Sequence, residues 1–105
     1  MNTFKLLRIY TAENAYSGTT KVFQLICERA REQQIAGATV LDARLGFGRN
    51  AHLRRRHILE DERSVVIEII DADTKLRAFV TSLSDITGIA LVTLEAVEVL
   101  REGDL

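Results

Sequence analysis

The residues best suited to chemistry in this sequence are basic, and they are concentrated between residues 44 and 63. This segment holds six of the eleven arginines and both histidines: Arg44, Arg49, Arg54, Arg55, Arg56, Arg63, His52 and His57. A guanidinium presents a planar fork of donors that matches the oxygens of a phosphate in a bidentate way. The segment is therefore expected to bind an anion, although the formal net charge of the whole chain is only -1.

A glycine-flanked phenylalanine comes directly before the first arginine of this loop, in the order Gly46-Phe47-Gly48-Arg49. Glycine admits backbone conformations closed to other residues, and it lets amide N–H groups approach a phosphate closely. We therefore predict that Gly46, Phe47, Gly48 and Arg49 contact an anionic ligand. The alternative is a strand exit with a bulge, in which the glycines serve only the change of chain direction.

A second basic run, Arg54-Arg55-Arg56-His57, is predicted to attract an acidic partner surface. Nucleic acid is a weaker candidate, because no aromatic residues are interleaved with the arginines to stack on bases. No metal site is predicted, because His52 and His57 lie five residues apart without a cysteine or an ordered set of carboxylates. We assign the run to a loop that binds a partner protein, against the alternative of solvated surface charge.

The motifs of common catalytic sites are missing from the sequence. It has no nucleophile elbow, no HExxH helix and no P-loop. The acidic residues Asp71 and Asp73 are interpreted as caps of a helix, since a carboxylate readily accepts hydrogen bonds from the first N–H groups of a helix. We expect a binding protein without a resident cofactor, rather than an enzyme.

Length and hydropathy bound the fold and the location. A chain of 105 residues is the usual size of one domain, so residues 1–105 are expected to form a single core. No stretch approaches the ~20 apolar residues that a membrane span requires. We therefore expect no membrane insertion, and the cytoplasm as the default location.

Hydrophobic periodicity predicts six elements in the order βαββαβ. Strands are expected at residues 3–10, 38–45, 64–70 and 90–100, with helices at about 20–34 and 74–86. Ser17 or Thr19 is expected to cap the first helix, and Gly37 to end it. The order is that of the ferredoxin-like α+β fold, an antiparallel sheet with two helices on one face.

The third predicted strand is apolar on both of its faces and should be central in the sheet. Val65, Ile67 and Ile69 alternate with Val66 and Ile70, so both sides of the sheet require cover. Because the two helices cover only one side, the other side is expected to pack against further copies of the chain.

Five short motifs follow one another along the chain: Arg8-Ile9-Tyr10, Gly37-Ala38-Thr39-Val40, Gly46-Phe47-Gly48, Val65-Val66-Ile67-Glu68 and Leu91-Val92-Thr93. In this order they resemble the PII nitrogen-regulatory proteins and, more closely, the small PII-like proteins of unknown function. The resemblance covers nearly the whole chain. It implies a homotrimer that binds an adenine nucleotide, such as AMP, ADP or ATP, in clefts between subunits. It also implies that Gly37 and Thr39 lie near the base or ribose, that Arg101 reaches the phosphates, and that the loop at about 46–63 engages an unknown partner protein.

The sequence departs from the PII pattern at two places. Thr87-Gly88 stands where PII proteins have a Gly-Asp-Gly-Lys turn that grips phosphates. Tyr10 and Tyr16 are the only tyrosines, so uridylylation of a loop tyrosine is not available. The expected function is PII-like signalling. The alternative is an interaction module that needs no ligand and docks on a partner such as a transporter through the basic loop.

Overall fold

Two long antiparallel strands form the middle of the structure, a computed structural model that describes residues 3–42 and 64–103. In these residues the elements are, in chain order, β1 (Phe4–Ala12), β2 (Tyr16–Ser17), β3 (Thr20–Lys21), α1 (Val22–Glu32), β4 (Thr39–Asp42), β5 (Ser64–Ala72), α2 (Asp73–Ser82) and β6 (Leu91–Ala96). The main sheet has the strand order β4-β5-β1-β6, and all neighbours are antiparallel. The predicted ferredoxin-like fold is confirmed, with β5 in the interior of the sheet and a short β2–β3 hairpin added before α1.

The core lies between both helices and one face of the sheet. Residues of odd number on β1 and β5 point to this face, and Leu7, Ile9 and Ile67 are each 0% exposed. Each side chain buried in this way contributes about 1.5–3 kcal/mol to folding through the hydrophobic effect. The buried cluster comprises Leu7, Ile9, Val22, Ile26, Ala30, Ile35, Ile67, Ile69, Leu76, Phe79, Leu83 and Ile86.

Neither helix begins with a side-chain cap, so the predicted caps are wrong. The residue before α1 is Lys21, because Ser17 belongs to the short hairpin, and the residue before α2 is Ala72. Backbone carbonyls from elsewhere in the fold take the place of caps: Val22 N donates to Ala15 O over 2.9 Å, and Asp73 N donates to Thr3 O over 2.8 Å. A first-turn donor of each helix is thus satisfied by tertiary structure rather than by a neighbouring side chain.

The end of α1 also differs from the prediction, because Gln34 and not Gly37 takes the left-handed conformation. Gln34 has a φ of 60°. Its N–H donates to Arg31 O over 3.0 Å, and the N–H of Ile35 donates to Ala30 O over 2.9 Å. These two bonds form a Schellman motif, with the buried Ile35 packing on the last turn of the helix.

The remaining boundaries shift by a few residues. β4 begins one residue later than predicted, β5 continues two residues further to Ala72, and β6 is shorter than the predicted strand, ending at Ala96. The predicted residues 43–45 of the second strand lie outside the described residues. α2 ends at Ser82 and passes into a turn instead of continuing to Ile86. Within residues 3–42 and 64–103, no helix has the length and apolar character needed to cross a membrane.

A clamp between the two helices holds them on the covered face. Arg29 of α1 donates from Nη1 and Nη2 to the two carboxylate oxygens of Asp85 over 2.6 and 2.7 Å, and from Nη1 to Ser82 O over 2.8 Å. The hydrogen bonds from Arg29 lower the pKa of Asp85 to about 2. The guanidinium therefore ties α1 to the turn that follows α2 by a bidentate ion pair.

Candidate functional site

One face of the sheet carries no helix, and we call it the helix-free face. Directly opposed residues on antiparallel strands share a face, so the strand register defines its members. They are Leu6, Arg8 and Tyr10 of β1, Thr39 and Leu41 of β4, Val66, Glu68 and Ile70 of β5, and Leu91, Thr93 and Glu95 of β6.

A polar row crosses the middle of the helix-free face on all four strands, formed by Thr39, Glu68, Arg8 and Thr93. Arg8 Nε donates to Glu68 Oε2 over 3.0 Å, and Arg8 Nη1 donates to Glu95 Oε1. These hydrogen bonds, first to Glu68 and then to Glu95, raise the pKa of the Arg8 guanidinium. Two carboxylates share one guanidinium, so this group of three carries a net charge of one negative unit.

Apolar side chains lie on both sides of the polar row. Leu41, Val66, Tyr10 and Leu91 line up on one side, and Leu6 and Ile70 lie on the other. Leu41, Ile70 and Leu91 remain 44%, 46% and 54% exposed. A set of half-exposed large apolar residues around a central ion pair is typical of a surface that packs against another protein.

Gly37 and Thr39, the predicted base or ribose contacts, lie at the β4 edge of the sheet. Both are exposed. Thr39 is the first residue of β4 and lies opposite Glu68, at the end of the polar row. Gly37 lies in the linker between α1 and β4, with no atom within 4 Å of the position a Cβ would take. These two residues therefore present backbone and hydroxyl groups along an open edge.

Arg101, the predicted phosphate contact, lies at the opposite edge, in the chain that follows β6. It borders an open groove of about 550 Å³ lined by Thr3, Phe4, Val97, Val99, Leu100, Arg101 and Glu102. Arg101 makes no ion pair or side-chain hydrogen bond with the residues that the structure describes.

A single chain does not bring these three residues together. β4 and β6 are the two edge strands, separated by β5 and β1. Three strand spacings amount to roughly 14 Å, since neighbouring strands lie about 4.8 Å apart. Gly37 and Arg101 lie toward the end of the sheet where β1 begins, because Gly37 precedes β4 and Arg101 follows β6, which runs in the opposite direction, whereas Thr39 lies level with Arg8. A ligand that touched both edges of one chain would have to span roughly this distance.

The other predicted site residues lie outside the described residues. They are the hinge Gly46, Phe47, Gly48 and Arg49, and the basic run Arg54, Arg55, Arg56 and His57. The described residues contain no group of three or more histidine, cysteine or acidic side chains arranged to hold a metal ion.

The ion-paired group of Arg8, Glu68 and Glu95 was missed by sequence reasoning. Its partners are 60 and 87 positions apart in the sequence, so no local pattern joins them. A usable signal was present all the same: a charge lies between apolar residues in the middle of each of two strands, Arg8 in β1 and Glu68 in β5. Such charges are rarely left unpaired beside a partner strand, and their opposite signs favour a cross-strand pair.

Comparisons with known proteins bear on the whole chain rather than on the site. A family model designated DUF190 and described as "Uncharacterized ACR" matches residues 4–99. The chain is also similar to a protein named "UPF0166 protein" from Aquifex aeolicus (strain VF5). The two are 38% identical over 100 residues, which cover 91% of this chain and 92% of the relative. Neither description states a ligand, a partner or an activity.

Proposed function

The chain belongs to the DUF190 family of uncharacterized proteins, and from this premise we propose that it is a PII-like regulatory protein. In this proposal three copies assemble through the helix-free face. An adenine nucleotide binds in the clefts between subunits, and the basic loop reports its presence to a partner protein. The observation that carries the proposal is the separation of the predicted ligand residues onto opposite edges of a sheet whose helix-free face is half exposed.

The helix-free face supports the assembly step. Its exposed leucines and isoleucine would lose contact with water when covered, and each ~100 Å² of apolar surface removed from water is worth about 2.5 kcal/mol before the costs of association. The polar row gives such an interface a specific register, because the donors and acceptors of Arg8 and Glu68 that their mutual hydrogen bond leaves unused lose water on burial and then need polar partners.

The two edges of the sheet support the ligand step. In a closed ring of identical subunits, the β4 edge of one chain faces the β6 side of the next. Such a head-to-tail contact would bring Gly37 and Thr39 of one subunit near Arg101 of its neighbour. A free guanidinium beside exposed backbone and hydroxyl groups suits a phosphorylated ligand with polar groups at its other end.

The proposed activity is binding and signalling rather than catalysis. The sequence lacks the motifs of hydrolases and kinases, and the residues assigned to the ligand bind and orient it without a nucleophile or a general base among them. The rival function is an interaction module that docks on its partner without a ligand.

Titration calorimetry with AMP, ADP, ATP and cyclic AMP, combined with light scattering, tests the proposal. We expect a particle of three times the 11.8 kDa chain mass and saturable heat with at least one of these nucleotides. A trimer that gives no heat with any of them would contradict nucleotide binding and favour the ligand-free module. Deletion of residues 50–60 then tests the docking surface that both functions share, since a partner that is still captured does not dock on the loop.

A further inference from the structure

We propose that Asp71 is a positioning residue for the ligand site, holding the linker between α1 and β4 so that Gly37 and Thr39 are presented in a fixed geometry. The inference rests on the proposed function and extends it to a residue that lies outside the predicted ligand contacts. Asp71 touches no predicted ligand atom and acts through the backbone next to Gly37.

The Asp71 carboxylate bonds two backbone N–H groups at once. Its Oδ2 accepts from Ala36 N over 3.0 Å, and its Oδ1 accepts from Ala72 N over 2.7 Å. The first bond joins the end of β5 to the residue that directly precedes Gly37. The second fixes the carboxylate at the β5–α2 junction, so that the acceptor for Ala36 is held in place rather than free to rotate.

Lys75, in the first turn of α2, adds a second contact to the linker. Its Nζ lies 3.6 Å from Asp71 Oδ2 and donates to Gln34 O over 2.5 Å. The two side chains therefore grip the linker at two backbone groups, Gln34 O and Ala36 N. Asp71 lies near the end of β5 and Lys75 lies in the first turn of α2, and from these two elements both side chains reach the same short segment.

The linker has few other restraints. Ile35 is the last buried residue before β4, while Ala36, Gly37 and Ala38 are all exposed. A glycine in an exposed segment has more backbone freedom to lose than any other residue. Without the bond to Ala36, three exposed residues would separate the anchor at Ile35 from the first paired residue, Thr39. Restricting them beforehand reduces the entropy lost when a ligand binds.

The carboxylate of Asp71 is well suited to this task. Its side chain is only 12% exposed. Burial tends to raise the pKa of Asp71, but the hydrogen bonds from Ala36 and Ala72, together with Lys75, outweigh it and leave this pKa below the ordinary value. The group is therefore ionised at neutral pH, and hydrogen bonds to an ionised acceptor are the stronger kind.

Asp73 provides a matched control two residues away. It belongs to the same junction, and its carboxylate pairs with Lys5 and Arg77 but with no atom of the linker. Asp71→Ala and Asp73→Ala should both keep the fold. We expect Asp71→Ala to weaken nucleotide binding about tenfold through lost pre-organisation, and Asp73→Ala to leave it within about twofold of the wild type.

Two further measurements separate positioning from general destabilisation. The loss of affinity in Asp71→Ala should be equal for adenosine and for ATP, because the linker is proposed to contact the base or ribose and not the phosphates. By contrast, Arg101→Ala should weaken the binding of ATP more than the binding of adenosine. Hydrogen exchange at the amides of Ala36 and Gly37, followed by NMR, should be at least about tenfold faster in Asp71→Ala and unchanged in Asp73→Ala.

Several results would overturn the inference. Wild-type affinity with unchanged exchange at Ala36 in Asp71→Ala would do so, as would equal losses in the two aspartate variants. If Asp71→Ala does not fold, Lys75→Met replaces it and should show a smaller loss in the same direction; no change in affinity or exchange would count against the proposal. If the wild type binds no nucleotide, the proposed function fails, and exchange at Ala36 alone then decides whether Asp71 holds the linker.

Discussion

The two faces of the sheet are built from the same strands but differ in what covers them. On β1 and β5, residues of odd number meet the helices and are almost completely buried, as Ile67 is at 0% exposure. Residues of even number meet no helix, and Ile70 remains 46% exposed. On the two central strands the covered face is apolar except for Thr11, whose hydroxyl donates to Gly88 O over 2.7 Å, and for Lys5 and Asp71 at the end of the sheet where β1 begins.

The helix-free face follows a different rule, because it carries its charges in the middle. Arg8, Glu68 and Glu95 are about one-third to one-half exposed and are surrounded by apolar residues. A core completed within one chain needs no such group, since apolar residues of the same volume would pack at least as well. Apolar residues on both faces identify a sheet with two sides to cover, and in the proposed assembly the central ion pairs mark the side that another copy of the chain covers.

The largest expected effect is on the covered face. Ile67→Asp would bury an unpaired charge beneath both helices, which costs about 4 kcal/mol or more and is comparable to the whole stability of a small domain. We expect an unfolded or insoluble protein by circular dichroism and chromatography. A stable, folded Ile67→Asp variant would show that the covered face tolerates charge and would remove the difference between the two faces.

The same substitution on the other face should leave the fold intact and break the assembly. Ile70→Asp places the new carboxylate at a half-exposed position, so the free energy of unfolding of the single chain should change by about 0.5 kcal/mol or less. In a covered interface the same charge costs several kcal/mol. Light scattering should give the mass of one chain together with a native circular dichroism spectrum. An intact trimer of Ile70→Asp would mean that this face does not form the interface.

Arg8→Met should have a smaller effect that is again divided between fold and assembly. The ion pairs of Arg8 are partly exposed in a single chain, so their loss should lower its unfolding free energy by no more than about 1 kcal/mol. Between subunits, Glu68 and Glu95 would be left without a counter-charge, at a cost of about 3 kcal/mol. Sedimentation at several concentrations should show a weaker trimer.

Glu95→Gln is the matched control for Arg8→Met, because it leaves one carboxylate for one guanidinium. It should keep or strengthen the trimer. If Arg8→Met and Glu95→Gln weaken assembly equally, the charge balance among Arg8, Glu68 and Glu95 does not govern the interface.

The smallest expected effect concerns the Arg29–Asp85 clamp. Asp85 has an ordinary pKa of 3.8 in the unfolded chain and about 2 in the folded one. A lowered pKa stabilises the fold above the unfolded value, so this contribution is full above about pH 4 and is lost as the pH falls toward 2. The midpoint of thermal unfolding should therefore fall less between pH 5 and pH 2.5 in Asp85→Asn than in the wild type. Equal decreases would show that the clamp does not contribute to acid sensitivity.

Local patterns predicted the parts of the fold that local physics determines. The run of β-branched residues from Val65 to Ile70, apolar on both faces except at Glu68, located the central strand, and apolar spacing located both helices. The predicted helix caps were wrong because an N–H group in the first turn of each helix donates to a backbone carbonyl from outside it, Ala15 O for α1 and Thr3 O for α2. The predicted end of α1 was wrong because Gln34 adopts the left-handed conformation that was expected of a glycine.

The candidate site could be predicted less well, because its geometry depends on strand order and register. Gly37 and Thr39 were singled out together with Arg101 by resemblance, yet they lie at opposite edges of the sheet. The role of Asp71 was also hidden, since its contact with Ala36 joins positions 35 apart in the sequence.

The charged residues of the helix-free face also disfavour non-specific association between newly synthesised chains. When two such faces meet in a random orientation, Glu68 or Glu95 contacts a leucine of the other chain. The carboxylate then loses its hydration without gaining a hydrogen-bond partner. Only arrangements that place polar groups over the row escape this penalty. If the chain assembles as proposed, its unassembled subunits are thus biased against amorphous aggregates, even though each exposes several large apolar side chains.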